Sequence, residues 1–218
     1  MHLEKQKDYG FSELRVSDTN KLPAWDKFRL TKISEIFNTC DRIIDFGNSS
    51  RALSELLSNS LLDKEKIFVD INKCYNPDVV ADICNLDVFE DNSIDGIICA
   101  AVLEHVYNPD KAVSELFRIL KPGGKMFVYV PWIFMYHAPH TGEYSDYFRF
   151  SCDGVRYLFK DFSKVEICLI RGYYDTIFNL IPYFMKGSRF QKLFGGIIRK
   201  LDRYDERYTS GFNIYIIK

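Results

Sequence analysis

The chain has 218 residues, a formal charge of −1, a hydrophobic fraction of 47% and an aromatic fraction of 16%. That length suits one domain, and the apolar content is sufficient for a full hydrophobic core. The nearly neutral charge argues against a general nucleic-acid binder, which normally carries a basic face.

No apolar stretch reaches the roughly 18 residues of a membrane span, and the polar start at Met1–Lys7 lacks the apolar region of a secretory signal. The six cysteines are scattered, with no Cys-x-x-Cys pair. We therefore expect a cytoplasmic setting with reduced thiols.

An N-terminal helical extension is expected within residues 1–40. Apolar residues recur at helical spacing from Trp25 to Phe37, and Pro23 suits the start of a helix. This helix should pack on the predicted sheet or over its cleft.

Three short apolar segments that end near acidic residues predict buried parallel strands. These segments are Arg42–Phe46, Lys66–Asp70 and Val79–Ala81. A turn at 47–50 follows the first strand, and a helix is expected over Arg51–Ser58.

A fourth strand over Ile94–Ala100 should lead into a helix that Asn108 caps and Pro109 opens. The predicted buried stripe of this helix consists of Ala112, Val113, Leu116, Phe117 and Leu120. Pro122-Gly123-Gly124 should end the helix, and Lys125–Val130 predicts the fifth strand.

The rest of the chain predicts a helix over Cys152–Lys160, strands over Lys164–Ile170 and Gly211–Ile217, and a helical insertion at 173–208. We expect one α/β domain over 1–218, because strands alternate with helices. Its sheet should be doubly wound, seven-stranded, Rossmann-like and mostly parallel, with an antiparallel last strand.

Acidic side chains at three successive strand ends predict a ligand site at the carboxyl edge of the sheet. Asp45 is followed by Gly47, which permits close approach of a ligand to the backbone. Asp70 can hold ribose hydroxyls, and Asp82 can accept from an exocyclic amine. Each acid could instead form a turn or cap a helix, but three at successive strand ends favour a site.

Five segments resemble class I S-adenosylmethionine (SAM)-dependent methyltransferases of the type-11 group, including relatives from surface-polysaccharide pathways. The resemblance covers about residues 40–135. It is carried by IIDFG (43–47), FVD (68–70), VVADICNL (79–86), NSIDGIICAAVLEHVYNP (92–109) and LKPGGKMFVYVP (120–131). The chain departs from the family pattern at Asn48, Ser49 and Ser50, which replace two further glycines of the usual turn.

The resemblance implies SAM as the cofactor and assigns roles to the strand ends. Asp45 and Gly47 would face its methionine part, and Asp70 with Ile71 would bind the ribose. The pair Asp82 and Ile83 would flank the adenine. Beneath the sulfonium, the floor would consist of Ala100, Ala101 and the following Leu103-Glu104-His105.

The loop after the fifth strand, Pro131–Phe150, supplies candidates for acceptor binding and for a general base. We expect His140 or Asp146 to be the base, with His105 next, and we expect acceptor contacts from His137, Tyr144 and Arg149. Alternatively, Asp146 and Arg149 form an ion pair that fastens the loop. We expect no metal site, because Pro139 interrupts the pair His137 and His140.

The expected function is SAM-dependent O-methylation of a sugar-containing or lipid-linked acceptor in surface-glycan biosynthesis, without a nucleic-acid partner. Alternatives are a quinone or small-metabolite methyltransferase and a catalytically silent partner subunit; a nicotinamide oxidoreductase lacks its glycine pattern. The basic amphipathic segment 176–203 suits peripheral contact with the inner face of a membrane. Gly187, Gly195 and Gly196 interrupt a continuous helix there, which favours the alternative of a helical cap or a dimer contact.

Overall fold

The computed structural model describes residues 22–47, 64–181 and 201–218. Three sequence predictions therefore lie outside the described residues: the relaxed turn at 48–50, the helix at 51–58 and most of the basic amphipathic segment. Among the described residues, no helix is both long and apolar enough to cross a membrane.

The described residues form a seven-stranded sheet of order β3-β2-β1-β4-β5-β7-β6. Strands β1 to β5 pair in parallel, whereas β7 runs antiparallel between β5 and β6. This topology confirms the predicted fold class. The strands are β1 Arg42–Phe46, β2 Glu65–Asp70, β3 Val79–Val80, β4 Ile94–Ala100, β5 Leu120–Pro131, β6 Lys164–Ile170 and β7 Gly211–Ile217.

The described α-helices are α1 Ala24–Thr39, α2 Pro109–Ile119, α3 Cys152–Leu158 and α4 Tyr173–Leu180. Helix α3 ends two residues earlier than predicted. Strand β5 begins five residues earlier than predicted. The reason is that Leu120 already pairs with Ile94, and the Gly123 amide donates to the Lys218 carbonyl at 2.9 Å.

Helix α1 packs on one face of the sheet, which confirms the first of its two expected positions. Its residues Ile36 and Phe37 are fully buried in a cluster with Ile43, Ile98 and Phe127 of the central strands. The Asn213 amide on β7 also donates to the Trp25 carbonyl at 2.9 Å. The N-terminal helix is therefore part of the folded domain.

Helices α2 and α3 cover the opposite face. The Asn108 side chain caps α2 by accepting from the Lys111 amide at 3.1 Å, as the sequence predicts. The buried stripe of α2, including Leu116 and Ile119, joins Val155 and the central strands in one large core. Because both faces of the central strands are covered, their carboxyl edge is where a ligand can reach the sheet.

Candidate functional site

Strand β1 ends in a left-handed turn at Gly47, where φ is 68°. The Gly47 amide donates to the Val69 carbonyl at 3.0 Å. An added Cβ would lie 3.3 Å from Val102 Cγ2, so both the backbone angle and the limited space favour glycine. The Asp45 side chain is fully buried, and its Oδ2 lies 3.2 Å from Lys66 Nζ.

The end of β2 presents a carboxylate beside an apolar surface. Asp70 is half-buried, and its Oδ1 accepts the Asn72 amide at 2.8 Å. Burial raises the pKa of Asp70. Ile71 follows it with 64% of its surface exposed. A hydrogen-bond acceptor next to an exposed apolar side chain is the combination that a ribose with an attached base requires.

Asp82 lies in the turn after β3 and behaves partly as a turn-former. Its Oδ1 accepts the Cys84 amide at 2.8 Å, while its Oδ2 lies 3.3 Å from the Tyr107 hydroxyl. Ile83 is buried in the core, with 6% of its surface exposed. The predicted adenine contact from Ile83 therefore has little accessible surface to offer.

Strand β4 ends in a strained backbone conformation at the predicted cofactor floor. Ala101 has a φ of 56°, a left-handed value that L-residues with a Cβ rarely adopt. Its amide donates to the Tyr129 carbonyl of β5 at 3.1 Å, which helps to hold this conformation. Such strain persists where the surrounding structure enforces it, and it is concentrated at functional sites.

A buried carboxylate follows in the short 3-10 turn Leu103–His105. The Glu104 side chain has no exposed surface, and neither of its carboxylate oxygens receives a hydrogen bond from any described residue. Its Oε1 lies 3.9 Å from His105 Nε2 and 3.6 Å from His137 Nε2. The structure thus brings two predicted site histidines together around an acid.

Both histidines are oriented through their Nδ1 atoms. His105 Nδ1 lies 2.7 Å from the Ser145 carbonyl, and His137 Nδ1 lies 3.2 Å from Asp146 Oδ2. The Glu104 carboxylate raises the pKa of His137 against the opposing effect of burial. Burial, reinforced by the charge of Glu104, raises the pKa of the neighbouring Tyr129 to about 12.

Arg149 fastens the loop after β5. Its guanidinium donates to the carbonyls of Phe134, Met135 and Phe148 and to both Asp146 oxygens. All five of its N–H donors are therefore used within the loop. Arg149 lowers the pKa of Asp146 to about 2, which makes Asp146 a weak base near neutral pH. The geometry thus favours the ion-pair interpretation of these two residues.

Further contacts hold the same loop over the carboxyl edge. The Glu104 carbonyl accepts the amides of Tyr147 and Phe148 at 2.8 and 3.1 Å. At the β2 end, the Tyr75 hydroxyl donates to Glu143 Oε2 at 2.5 Å. The loop therefore joins the β2 end of the carboxyl edge to the turn after β4.

The remaining predicted residues of this loop divide between the cluster and the surface. The Tyr144 ring lies 4.5 Å from the His105 ring, so Tyr144 belongs to the cluster. His140 is exposed, and no described contact connects it to Glu104. Its role as a base stays a prediction.

Sequence reasoning missed the central position of Glu104 and its contact with His137. The sequence held one signal: Glu104 lies between apolar residues in the LEHV segment. That position predicts a buried acid, but it does not show which residue lies beside it. The meeting with His137 depends on the path of a long loop, which local patterns do not specify.

Residues 45–128 match the sequence model of the methyltransferase domain family. The chain is 32% identical over 87 residues to a sterol 4-C-methyltransferase of Caenorhabditis elegans, covering 40% of this chain and 26% of the relative. It is 30% identical over 94 residues to the demethylmenaquinone methyltransferase of Renibacterium salmoninarum, covering 40% of each. The chain thus spans less than half the length of the curated relatives it matches.

Solved structures share the fold over most of the chain. A SAM-dependent methyltransferase from Archaeoglobus fulgidus superposes with a TM-score of 0.59 at 18% identity, covering 88% of this chain and 93% of that one. The 1,6-didemethyltoxoflavin-N1-methyltransferase of Burkholderia thailandensis, solved with S-adenosylhomocysteine, gives 0.52 at 13% identity, covering 93% and 81%. Residues 45–128 thus resemble a methyltransferase domain in sequence, and most of the chain shares the fold of these two solved structures.

Proposed function

We propose that this protein transfers the methyl group of SAM to a hydroxyl oxygen of a small-molecule acceptor. One observation supports the proposal: Asp70 and Ile71 at the end of β2 lie along the same sheet edge as the polar cluster of Glu104, His105 and His137 after β4. The loop after β5 connects these two ends through Tyr75 and Glu143. A donor and an acceptor bound along this edge would be held for in-line transfer.

The cofactor end would use Asp70 for the ribose hydroxyls, with Ile71 against the adenosine. Gly47 would let the methionine part approach the backbone, and Ala100 and Ala101 would form the floor. Asp45 would act through Lys66 and the β1 turn, because its carboxylate is buried. Tight binding also depends on residues 48–50, which lie outside the described part of the chain.

The acceptor end would receive a hydroxyl at the cluster around Glu104. The Ser145 carbonyl can only accept, so His105 Nδ1 carries its proton and Nε2 keeps a lone pair. That Nε2 can take the hydroxyl proton as the oxygen attacks the methyl carbon. The C–S bond then breaks, and S-adenosylhomocysteine leaves as a neutral thioether.

We propose a sugar-containing or lipid-linked hydroxyl as the acceptor, as in surface-glycan biosynthesis. Polar groups that can hold a hydroxyl are surrounded here by the rings of Tyr144 and Phe134, whose centroids lie 4.5 Å from His105 and 5.4 Å from His137. The two curated relatives are named for a sterol and for demethylmenaquinone. These names favour a second candidate class, an aglycone small molecule of the quinone or sterol type.

Contact with a membrane surface stays a prediction. Residues 182–200, which contain most of its basic side chains, lie outside the described residues. Phe178, an apolar residue of the segment 176–203, is buried in the described structure with 8% of its area exposed. Any membrane-facing surface would therefore have to exclude Phe178.

Calorimetry with S-adenosylhomocysteine tests the cofactor assignment. Asp70→Asn should weaken binding by about 1.5–3 kcal/mol, the scale of a hydrogen bond to a charged acceptor, or roughly 10- to 150-fold. Asp161→Asn is the matched control, because Asp161 is exposed before β6, at the opposite edge of the sheet. Equal affinities for the two variants would contradict the assignment.

Transfer with isotopically labelled SAM methyl tests the chemistry. Sugar conjugates, lipid-linked sugars, quinols and sterols are offered in parallel, and the products are analysed by mass spectrometry. We expect the label as an O-methyl group on a hydroxyl-bearing acceptor. Label on nitrogen or carbon would contradict O-transfer while leaving the SAM assignment intact.

A further inference from the structure

The cluster around Glu104 contains three hydrogen-bond acceptors that face one another. One potential ligand atom from each of Glu104, His105 and His137 lies within 4.8 Å of the other two. We infer that Glu104, His105 and His137 form a binding site for a divalent first-row transition-metal cation. This inference departs from the sequence expectation, which paired His137 with His140 and found no metal site.

The burial of Glu104 is the first argument. Its side chain has no exposed surface, and no described residue donates a hydrogen bond to either carboxylate oxygen. A buried carboxylate without a partner is strongly disfavoured, so such groups pair with cations or coordinate metals. The two imidazole Nε2 atoms beside Oε1 lie beyond hydrogen-bond distance, at 3.6 and 3.9 Å.

The orientation of the imidazoles is the second argument. His105 directs Nδ1 to the Ser145 carbonyl at 2.7 Å, and His137 directs Nδ1 to Asp146 Oδ2 at 3.2 Å. The Ser145 carbonyl and the Asp146 carboxylate both accept hydrogen bonds, so each Nδ1 can carry a proton and each Nε2 is left available to a cation beside Glu104. Metal-binding histidines are held in the same way by an acceptor on the second nitrogen.

Asp146 supplies one of these orienting acceptors and is itself fixed. Arg149 donates to both of its oxygens, with 2.7 Å between Nη2 and Oδ2. The ion pair that fastens the loop therefore also sets the direction in which His137 Nε2 points. Such outer contacts raise the basicity of the ligand and restrict its rotation.

The donor set selects the type of cation. Two imidazoles and one carboxylate suit Zn²⁺, Fe²⁺, Co²⁺ and similar ions, whereas Mg²⁺ and Ca²⁺ prefer oxygen ligands. Ligands about 2.1 Å from a tetrahedral ion lie roughly 3.4 Å apart. The separations of 3.6 and 3.9 Å from Glu104 Oε1 to the two imidazoles are close to that value. All three ligand atoms lie within 4.8 Å of one another, so binding requires the three side chains to move closer together.

Three protein ligands leave a coordination position open, as in catalytic metal sites. The role of that position rests on the proposed methyl transfer. An acceptor hydroxyl bound there would lose its proton to solvent, because the cation stabilises the oxyanion. The oxygen would then attack the methyl carbon, and the C–S bond would break to release S-adenosylhomocysteine. When the metal is bound, the imidazoles of His105 and His137 act as its ligands. The metal, and not His105, then activates the acceptor hydroxyl.

Cobalt titration tests the site directly. The full chain is dialysed against a chelator and titrated with Co²⁺, and visible d–d absorption reports coordination by nitrogen and oxygen. We expect Glu104→Gln and His137→Gln each to lower Co²⁺ affinity by about 100-fold or more, since even outer contacts contribute 10- to 100-fold. His140→Gln is the matched control and should keep the wild-type affinity, because that histidine lies outside the cluster.

Two further measurements keep the result interpretable. The described cysteines are free and include the exposed Cys74, so thiolate-to-cobalt charge-transfer absorption is monitored to detect binding elsewhere. Circular dichroism and S-adenosylhomocysteine calorimetry check that each variant is folded. Binding that shows only thiolate character, or equal Co²⁺ affinity in the cluster variants and His140→Gln, would overturn the site. Either result would leave the cofactor assignment at Asp70 untouched.

Discussion

At the scale of single residues, the Asp146–Arg149 pair determines the shape of the loop after β5. Asp146 has no exposed side-chain surface, and Arg149 retains 21%. Arg149→Met should destabilise the protein by about 3–5 kcal/mol, because it leaves a buried carboxylate without its cation. Urea denaturation at pH 7 measures the change in the free energy of unfolding.

Arg156→Met is the matched control for Arg149→Met. Arg156 also pairs with two acids, Asp153 and Glu206, but its side chain is 52% exposed and those of its partners are 92% and 46% exposed. Solvent-exposed ion pairs contribute about 0–1 kcal/mol. Equal losses in the two variants would contradict the assignment of Arg149 as the fastener of the loop.

Individual site residues were predictable from sequence where a local pattern placed them. Asp70 was predicted as a site residue because it ends a buried strand, and parallel strands bring their carboxyl ends to one edge, whereas Ala101 was implied by the family resemblance. The contact between Glu104 and His137 was not predictable, since it depends on how the loop after β5 folds back over the β4 turn. Arg149 was predicted to contact the acceptor, because the sequence does not show that its guanidinium donates to backbone carbonyls of the same loop.

At the scale of secondary-structure elements, the packing of α1 on β4 depends on Gly96. An added Cβ would lie 2.8 Å from Ile36 Cγ2 and 3.1 Å from Cys40 Cβ. Gly96→Ala should therefore cost about 1–3 kcal/mol, the usual effect of overpacking a tight core. Thermal unfolding followed by circular dichroism measures the loss.

Gly154→Ala is the matched control for Gly96→Ala, because it makes the same substitution at a position where the added Cβ does not clash. The nearest atom to its added Cβ is Ser151 Oγ at 3.4 Å, and the residue lies in α3. Alanine should stabilise this position by about 0.5–1 kcal/mol, because it is the better helix former. If Gly154→Ala lost as much stability as Gly96→Ala, the contact between α1 and β4 would not be the cause of the loss in Gly96→Ala.

Helix α2 holds the segment that precedes β4 through Glu115. Its Oε2 accepts the Leu86 amide at 2.8 Å, and Arg118 donates to both carboxylate oxygens. The hydrogen bond from Arg118 is the largest contribution that lowers the pKa of Glu115 below its ordinary value of 4.5. A lowered pKa in the folded state means that the ionised carboxylate stabilises the fold.

Glu115→Gln should therefore lower the stability at pH 7 by about 1.5 kcal/mol, the scale of a charged hydrogen bond. The difference from wild type should persist above the ordinary pKa of 4.5. It should shrink as the pH falls through the lower folded pKa, because both proteins are then uncharged at this position. Urea denaturation between pH 7 and pH 3 measures this difference in the free energy of unfolding. Glu90→Gln is the control, because Glu90 is exposed and its replacement should change the stability little.

Element types were more predictable than element boundaries. Periodicity identified α1 and α2, and the cap at Asn108 gave the start of α2 because capping is a local interaction. The early start of β5 was missed, since Pro122-Gly123-Gly124 has the composition of a turn. Partners far away in sequence decide the outcome there: Ile94 and Lys218 pair with this segment and keep it extended.

At the scale of the whole molecule, the order of the sheet explains how distant segments build one edge. The strands β1, β2 and β4 are adjacent and parallel to one another where they meet, so their carboxyl ends lie side by side. The alternation of strands and helices was sufficient to predict the parallel part of the sheet. The position of β7 between β5 and β6 was not predicted, because alternation does not specify strand order.

The placement of β7 also sets the timing of folding during synthesis. Among the described strands, β7 is the only neighbour of β6, yet Gly211 follows Ile170 by a long intervening segment. A ribosome adds about 5–20 residues per second, so β6 and the outer edge of β5 stay unpaired for several seconds. Unpaired strand edges are aggregation-prone. The newly made chain is thus most vulnerable in this interval, when a chaperone would have the most to protect.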